Sequence, residues 1–294
     1  ETLANVYDRV SMGDVYKDVY NSVGALGTTP ATTLLYLQSK VKILDLAGPD
    51  ENICAVLDPL ANATISNQTS TVFHPARQIA ENWTKGQFAD NQLGIAKWFT
   101  DQNVPRFTSG SSTGAATPLV NGAGQTGSSL VNDGWGSGTT SLVEGDIITL
   151  AGVYSVNPLS KESTGRLQQF TLTADVSDTA GAITMGISPS IITSGALQNV
   201  SAAPANNAVL TYWAMAAGGT QAATVSPQNL VFHPEAFASV MADLVMPNGG
   251  ARATRVNSKQ INIAMRYVEP FQTTQDQNPN PPALPFRSAP LPAR

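Results

Sequence analysis

The sequence has little of what most chemistry requires. It holds one cysteine and two histidines in 294 residues, and only 13 % of its residues are charged. A lone thiol cannot close an intrachain disulfide, so no disulfide framework holds this chain together. Cys54 sits in the apolar run Asn52-Ile53-Cys54-Ala55-Val56-Leu57 and reads as a small buried hydrophobe. Two histidines without a set of thiolates or carboxylates beside them fall short of a usual zinc shell. No apolar run approaches the length of a membrane span. Excess positive charge is missing too, since 16 basic residues stand against 21 acidic ones for a net charge of −5. That balance excludes a surface that coats nucleic-acid phosphates over its whole area.

A hydrophobic content of 42 % with so little charge is the opposite of the disordered balance, and it suits large buried or interface surfaces. The length allows two domains, or one domain carrying a sizeable insertion. The sequence opens at Glu1, not Met, already inside a helical pattern, and reads as a processed or truncated chain.

The chain is organised around residues 144–176. Two runs rich in β-formers flank the polar turn Asn157-Pro158-Leu159-Ser160-Lys161-Glu162-Ser163-Thr164-Gly165. In the second run Phe170, Leu172, Ala174 and Val176 alternate with Gln169, Thr171, Thr173 and Asp175, which predicts one apolar and one polar face. A third run alternates at Ile183, Met185 and Ile187, until Pro189 forbids simple continuation as a central strand. Together these runs predict a small antiparallel β module.

Around it the periodicity is helical. Leu3, Val6, Val10, Val15, Val19 and Val23 form the stripe of a helix over 2–23, with Gly13 as a kink and Gly24 and Gly27 as its stop. Thr29-Pro30 starts a second helix, whose stripe Leu34, Leu37, Val41 and Leu44 closes at Gly48-Pro49. Core packing is the expectation for both stripes. Ile53 to Leu57 reads as a buried strand, and Asp58-Pro59 opens a short helix through Ala63. Val72-Phe73-His74-Pro75 and Val231-Phe232-His233-Pro234 repeat one strand-to-helix junction, which accounts for both histidines. Helices should follow each copy, carrying Ile79 and Trp83 in one and Phe237, Val240, Met241 and Leu244 in the other. Ile261 to Val268 is a late strand with Ile261, Ile263, Met265 and Tyr267 on one face. Between Thr108 and Ser141 Gly, Ser and Thr dominate around a single charge, Asp133, so this tract predicts a long flexible or partner-ordered loop anchored only at Leu119-Val120, Leu130-Val131 and Trp135. Gln198 to Asn207 reads as a polar connector, and the Pro-rich end from Asn278 as an extended tail, not a packed element.

Motifs that look chemical fail on context. Gly110-Ser111-Ser112-Thr113-Gly114 matches a nucleophile elbow, yet that turn needs a strand before its serine and a helix after it. Gly122-Ala123-Gly124-Gln125-Thr126-Gly127 matches a dinucleotide loop, but Ser-Ser-Leu-Val-Asn-Asp-Gly-Trp-Gly follows and will not sustain the required helix. The N-x-S/T sequons at Asn62, Asn67, Asn82 and Asn199 are short enough to arise by chance in this composition. Acidic pairs such as Asp50-Glu51 read as solvated caps. The sequence presents no catalytic, cofactor-binding or metal residue, and the expectation is a protein that is not an enzyme and uses no cofactor.

The order of several stretches nevertheless resembles a known family. Thr29-Pro30-Ala31-Thr32-Thr33 leading to Leu35-Tyr36-Leu37-Gln38, then a strand, Pro59 and Val72-Phe73-His74-Pro75, resemble the coat proteins of short-tailed, tailed double-stranded DNA bacteriophages. The stretch GDIITLAGVYSVNPLSKESTGRLQQFTLTADV, with Ile187-Ser188-Pro189 and Gln198-Asn199-Val200-Ser201-Ala202, looks like that family's inserted domain. Asn229-Leu230-Val231-Phe232-His233-Pro234-Glu235-Ala236-Phe237-Ala238 looks like its later helix, and Ile261 to Val268 like its returning strand.

The resemblance implies an α+β chain of the tailed-phage capsid (HK97-like) fold, with axial and peripheral domains and an inserted small antiparallel β-barrel. Residues 1–107 would hold the end of the peripheral region and the first part of the axial domain, and residues 108–212 the inserted barrel with its Gly/Ser-rich loop. Residues 213–271 would return through both domains, ahead of a Pro-rich tail at 272–294. The tract around Asp133 is the candidate for the family's loop that contacts a neighbouring capsomer. The implied function is that of a major capsid subunit assembling into an icosahedral shell. Its implied partners are further copies of itself in hexamers and pentamers, scaffolding and portal proteins, and packaged double-stranded DNA enclosed without sequence-specific contact. No membrane partner is expected. The implied location is the virion, with assembly in the host bacterial cytoplasm. The alternative is a carbohydrate- or receptor-binding β-module protein of a phage tail or adhesin, suggested by the Gly/Ser/Thr-rich surface and the alternating strands.

Overall fold

Alternation of apolar residues organises the fold of this computed structural model, which describes residues 2–69, 90–112, 117–135, 140–178, 182–212, 222–240, 245–246, 252–258, 263–269 and 287–290. The chain divides into two compact units, residues 12–234 and residues 1–11 with 235–294.

Helix α1 (Thr2–Met12) and the single turn α2 (Val15–Asp18) are separated by Gly13-Asp14. The helix predicted to reach residue 23 therefore ends five residues earlier. From Val19 the chain is non-helical up to α3 (Thr33–Asp45), because its backbone groups are taken up by side chains of the β module instead of by a further helical turn. In α3 the expected core stripe is reversed. Tyr36 is buried, whereas Leu34 is 59 % exposed and Leu37 and Leu44 are also exposed. Tyr36 packs edge-on against Trp98, ring centroids 5.6 Å apart, and an aromatic ring of that size outweighs the leucine stripe in choosing the buried face.

Strand β1 (Cys54–Leu57) is buried as predicted, and α4 (Pro59–Thr69) follows it. Strand β2 (Lys97–Thr100) lies parallel to β1. Tyr36, Ile53, Ala55, Leu57, Ile65, Ile95 and Trp98 form a core of their own beneath α3 and α4.

The second core of this unit belongs to the β module. Strand β3 (Arg106–Thr108) leads into it, and its strands are β4 (Ser111–Ser112), β5 (Leu119–Val120), β6 (Gly127–Asp133), β7 (Thr140–Leu142), β8 (Ile147–Val156), β9 (Ser163–Leu172), β10 (Val176–Asp178), β11 (Ile183–Ile191) and β12 (Leu210–Tyr212). Six of them form one sheet in the order β12-β8-β9-β11-β6-β5. A bridge between Leu119 and Val209 joins its two edges, reinforced by Val120 N–H to the Ala208 carbonyl at 2.9 Å and Leu210 N–H to the Pro118 carbonyl at 2.9 Å. The sheet thus closes on itself as a barrel, which removes the unpaired edges an open sheet would present. A smaller sheet, β10-β7-β4, adds Leu142 and Val176 to the barrel core.

Three expectations change here. The Gly/Ser/Thr-rich tract is not one long loop: it supplies β4 to β7, and Val120, Leu130, Trp135 and Leu142 enter the barrel core. A barrel strand buries only alternate residues, so a few apolar side chains suffice when neighbouring strands provide the rest. Pro189 lies within β11 in the middle of the sheet. The ladder shifts there from β6 partners at 183–186 and β9 partners at 187–188 to Ile191, so no register partner needs the missing N–H. The predicted alternation through Val176 also stops early, because residues 173–175 bend and Val176 begins β10 in the other sheet.

After the barrel, β13 (Val225–Pro227) pairs with β3, and β14 (Leu230–Phe232) pairs antiparallel with β1. Pro234 then opens a 3-10 turn, Pro234–Ala236, as the junction motif predicts. The other copy of that junction, with His74, Ile79 and Trp83, lies outside the described residues.

The second unit holds β15 (Phe237–Val240) paired with β18 (Arg287–Pro290), and the antiparallel ribbon of β16 (Arg252–Ser258) and β17 (Ile263–Glu269). A strand, not a helix, therefore follows the 3-10 turn, since pairing with β18 overrides the helical spacing of Phe237 and Val240. The same pairing gives the Pro-rich end an ordered element.

Phe170 is fully buried in the barrel core with Ile148, Leu172 and Ile187. Phe170→Ala should lower unfolding stability by about 3–5 kcal/mol in denaturant titrations. An unchanged midpoint would place this core elsewhere.

Candidate interaction surface

The second half of strand β9, from Gln168 to Leu172, is buried on both faces. Phe170 and Leu172 point into the barrel core, while Gln169 and Thr171, predicted as a solvent face, are also buried. What covers them is the N-terminal segment. Ser22 N–H donates to Gln169 Oε1 at 3.1 Å, and Gln169 Nε2 donates back to the Ser22 carbonyl at 3.0 Å. Thr171 Oγ1 donates to the Lys17 carbonyl at 3.1 Å. The side chains of β9 thus act as a false neighbouring strand for a backbone that would otherwise be unpaired. Around them Arg166 makes a two-pronged contact with Asp45 at the end of α3, and Tyr16 tilts against Phe107 at 5.4 Å. A cavity of about 300 Å³ lies where this segment, α3 and the barrel meet. It is lined by Tyr16, Leu35, Tyr36, Ile43 and Phe107 with Lys42, whose amine burial pulls down from its ordinary value.

Among the described residues, one carboxylate is buried outright. Asp146 ends the turn from β7 to β8, where its Oδ2 accepts from Val143 N–H at 2.8 Å and from Gly110 N–H at 3.1 Å. The Tyr212 hydroxyl is buried beside it. Burial raises the Asp146 carboxyl from 3.8 to about 6. The Val143 N–H, the Tyr212 hydroxyl and the Gly110 N–H oppose that rise, and the charge of Asp175 adds to it. Burial likewise pushes the Tyr212 hydroxyl up. Gly110 must be glycine, because a Cβ there would stand 2.4 Å from the Ser141 carbonyl oxygen and 2.7 Å from Leu142 Cα. The glycine that opens the elbow-like motif thus serves packing around this carboxylate.

Two loops at the tip of the β8–β9 hairpin present apolar side chains on fixed backbone. Asn157 Oδ1 accepts from Leu159 N–H at 2.9 Å and Ser160 N–H at 3.2 Å, and Lys161 takes a left-handed φ of 60° to complete the turn. Lys161 Nζ crosses to the Ala196 carbonyl at 2.7 Å. Asn199 braces the second loop, accepting from Ile192 N–H at 3.0 Å and donating to the Ser190 carbonyl at 2.7 Å. Leu159 and Leu197 are left 82 % and 75 % exposed. Ordered loops that hold leucines in solvent are suited to a protein contact.

The remaining sequence motifs resolve plainly. Ser112 lies in β4 and shares a hydrogen bond with Thr140. Gly122 to Gly127 forms the turn between β5 and β6, leading into a strand and not a helix. Asn62 is buried in α4 and Asn199 is engaged in its loop, so neither is a free acceptor for a glycan. Asp133 pairs with Leu119 on the β5–β6 ladder and not in a free loop, and His233 follows β14. Asn82 lies outside the described residues. Among the described residues no three metal-ligating side chains converge, and no helix is long and apolar enough to cross a membrane. The Asp146 turn, the β9 polar row and the Leu159–Leu197 tip were missed in the sequence. The only local signal was the Asn157-Pro158 turn chemistry.

Since the folded protein holds the Asp146 proton more tightly than the unfolded chain, this group favours the fold fully below pH 4. That contribution is lost as pH rises through 6, a change of about 3 kcal/mol. Asp146→Asn should remove this component, so the stability of the variant relative to the parent should rise between pH 4 and pH 7 in chemical denaturation. Parallel pH profiles for the two proteins would contradict the assignment.

No family model matches this chain. No curated protein matches it either. Among solved structures it is similar to the CUS-3 coat protein I-domain, with 24 % identity and a TM-score of 0.25, over 34 % of this chain and 97 % of that one.

Proposed function

We propose that this chain is the major coat subunit of a tailed double-stranded DNA phage, assembling through repeated contacts between identical copies into a closed icosahedral shell. The observation that carries the reading is the place of the barrel in the chain. Strand β2 leaves its three-stranded sheet at Thr100, the six barrel strands lie within residues 119–212, and β14 returns at Leu230 to pair with β1. A barrel interrupting another sheet is what the resemblance to phage coat proteins implies. The ordered run of matching stretches from Thr29 to Val268 supports the same reading. On it, the layer around Trp98 belongs to the axial domain of the tailed-phage capsid fold, and the barrel is the insertion.

Such a subunit needs no chemical step. Its work is to present many weak contacts whose sum closes a shell, since linked weak contacts gain from each other without any one being strong. The net charge of −5 suits a wall that contains DNA without gripping it. Hexamers and pentamers of this chain, a scaffolding protein and a portal would be its partners, and the virion its location.

Sedimentation velocity of the full-length chain, co-expressed with its scaffolding protein, tests the reading. One large uniform species is expected. Folded monomers or small oligomers that bind saturably to a glycan array would favour the receptor-binding alternative. Replacing both tip leucines, Leu159→Ser with Leu197→Ser, should leave subunit stability within about 0.5 kcal/mol, because both are exposed. The same pair of changes should raise the concentration needed for assembly. Unchanged assembly would remove the tip from the contact surface.

A further inference from the structure

The cavity beneath the N-terminal segment has apolar walls and carries one amine at its mouth. Residues Ser22 to Thr28 form a strap along it, and the strap is fixed at both ends. Ser22 exchanges two hydrogen bonds with Gln169, and Gly27 N–H donates to Ser226 Oγ at 2.6 Å. Leu35, Tyr36, Ile43, Leu57 and Phe107 supply apolar wall. Polar side chains among them are engaged within the protein. Ser39 Oγ donates to the Tyr36 carbonyl at 2.6 Å, and Asn229 Oδ1 accepts from Asp58 N–H at 2.7 Å. Lys42 is different. It lines both the cavity and the groove beside it between the strap and α3, and among the described residues its amine has no hydrogen bond or ion pair. Burial pulls that amine down, and the carboxylate whose charge it feels, Asp45, is already taken by Arg166. An ammonium in such a wall is favoured only when an anion comes to it. Apolar space of this kind also loses packing contacts on each wall, and water finds few partners there.

We propose that this cavity binds a medium-chain fatty acid, with the carboxylate on Lys42 and the hydrocarbon chain among Leu35, Tyr36, Leu57 and Phe107. This goes beyond the coat reading and does not depend on it. At about 300 Å³ the space has the size of a small-ligand pocket, and its pattern is the usual one of apolar walls with a single orienting polar group. Each methylene that enters is removed from water, so the chain supplies affinity while the charge supplies orientation. One free ammonium neutralises one negative charge, which is what a carboxylate brings. A phosphate monoester would bring about twice that, and the excess would face Asp45. Arg166 cannot compensate it, because its guanidinium is spent on Asp45.

The test is calorimetric titration of the full chain with decanoate, decanol and acetate. Decanoate should bind saturably. Decanol should bind about tenfold more weakly, because only the carboxylate meets Lys42, and acetate should not bind. Lys42→Met should weaken decanoate about tenfold and leave decanol unchanged, the second result showing that the cavity is intact. Lys42→Gln replaces it if the methionine variant is unfolded. Equal decanoate affinity in parent and variant overturns the site, as does a folded parent that binds neither long-chain probe. A variant that loses both probes in equal measure overturns the role of the amine. Acetate that binds as tightly as decanoate overturns the role of the cavity, since charge alone would then suffice. No arm involves assembly, so each of these failures leaves the coat reading standing, and a chain that forms no shells leaves this site standing.

Discussion

The constraint on which the rest depends is the double burial of β9. One strand must satisfy the barrel core with Phe170 and Leu172 and at the same time hold the N-terminal segment with Gln169 and Thr171. Both tasks meet on adjacent residues, so a one-residue slip would bury amides in the core and expose rings. The register is therefore strongly specified. It carries α3 with it, because Arg166 on the same strand pairs with Asp45 at the helix end. The barrel and the Tyr36–Trp98 layer are joined through polar contacts across a cavity, not through a continuous apolar core.

This division of labour explains how few charges the chain needs. Among the described residues its buried polar groups are mostly amides and hydroxyls, and Gln169 and Thr171 complete the backbone's hydrogen bonding. Such groups fix geometry in a way a charge cannot without a larger desolvation cost. Asp146 is the exception. It joins Gly110, Val143 and Tyr212 at a turn where three segments converge, and burial raises its carboxyl to about 6. Leu159 and Leu197 at the barrel tip are left exposed.

Much of the barrel was legible in the sequence. Period-two alternation marked Phe170, Leu172, Ile183, Met185 and Ile187, and all five are buried in its core. The turn at Asn157-Pro158 and the strand before Asp58-Pro59 were equally plain. The polar row of β9 was not, because alternation reports which residues differ and not what covers them. The Gly/Ser/Thr tract hid four strands, since backbone pairing does not require apolar side chains on both faces. The leucine stripe of α3 misled for the converse reason, as helical spacing identifies a face and the larger Tyr36 determined which face is buried.

The central claim is that this chain closes shells. Electron microscopy of the full-length product, made together with its scaffolding partner, tests it most directly. The account predicts uniform closed particles built from this chain alone or with scaffold inside. A folded chain that remains monomeric, or that forms only small open oligomers across the concentrations reached in a cell, would contradict it.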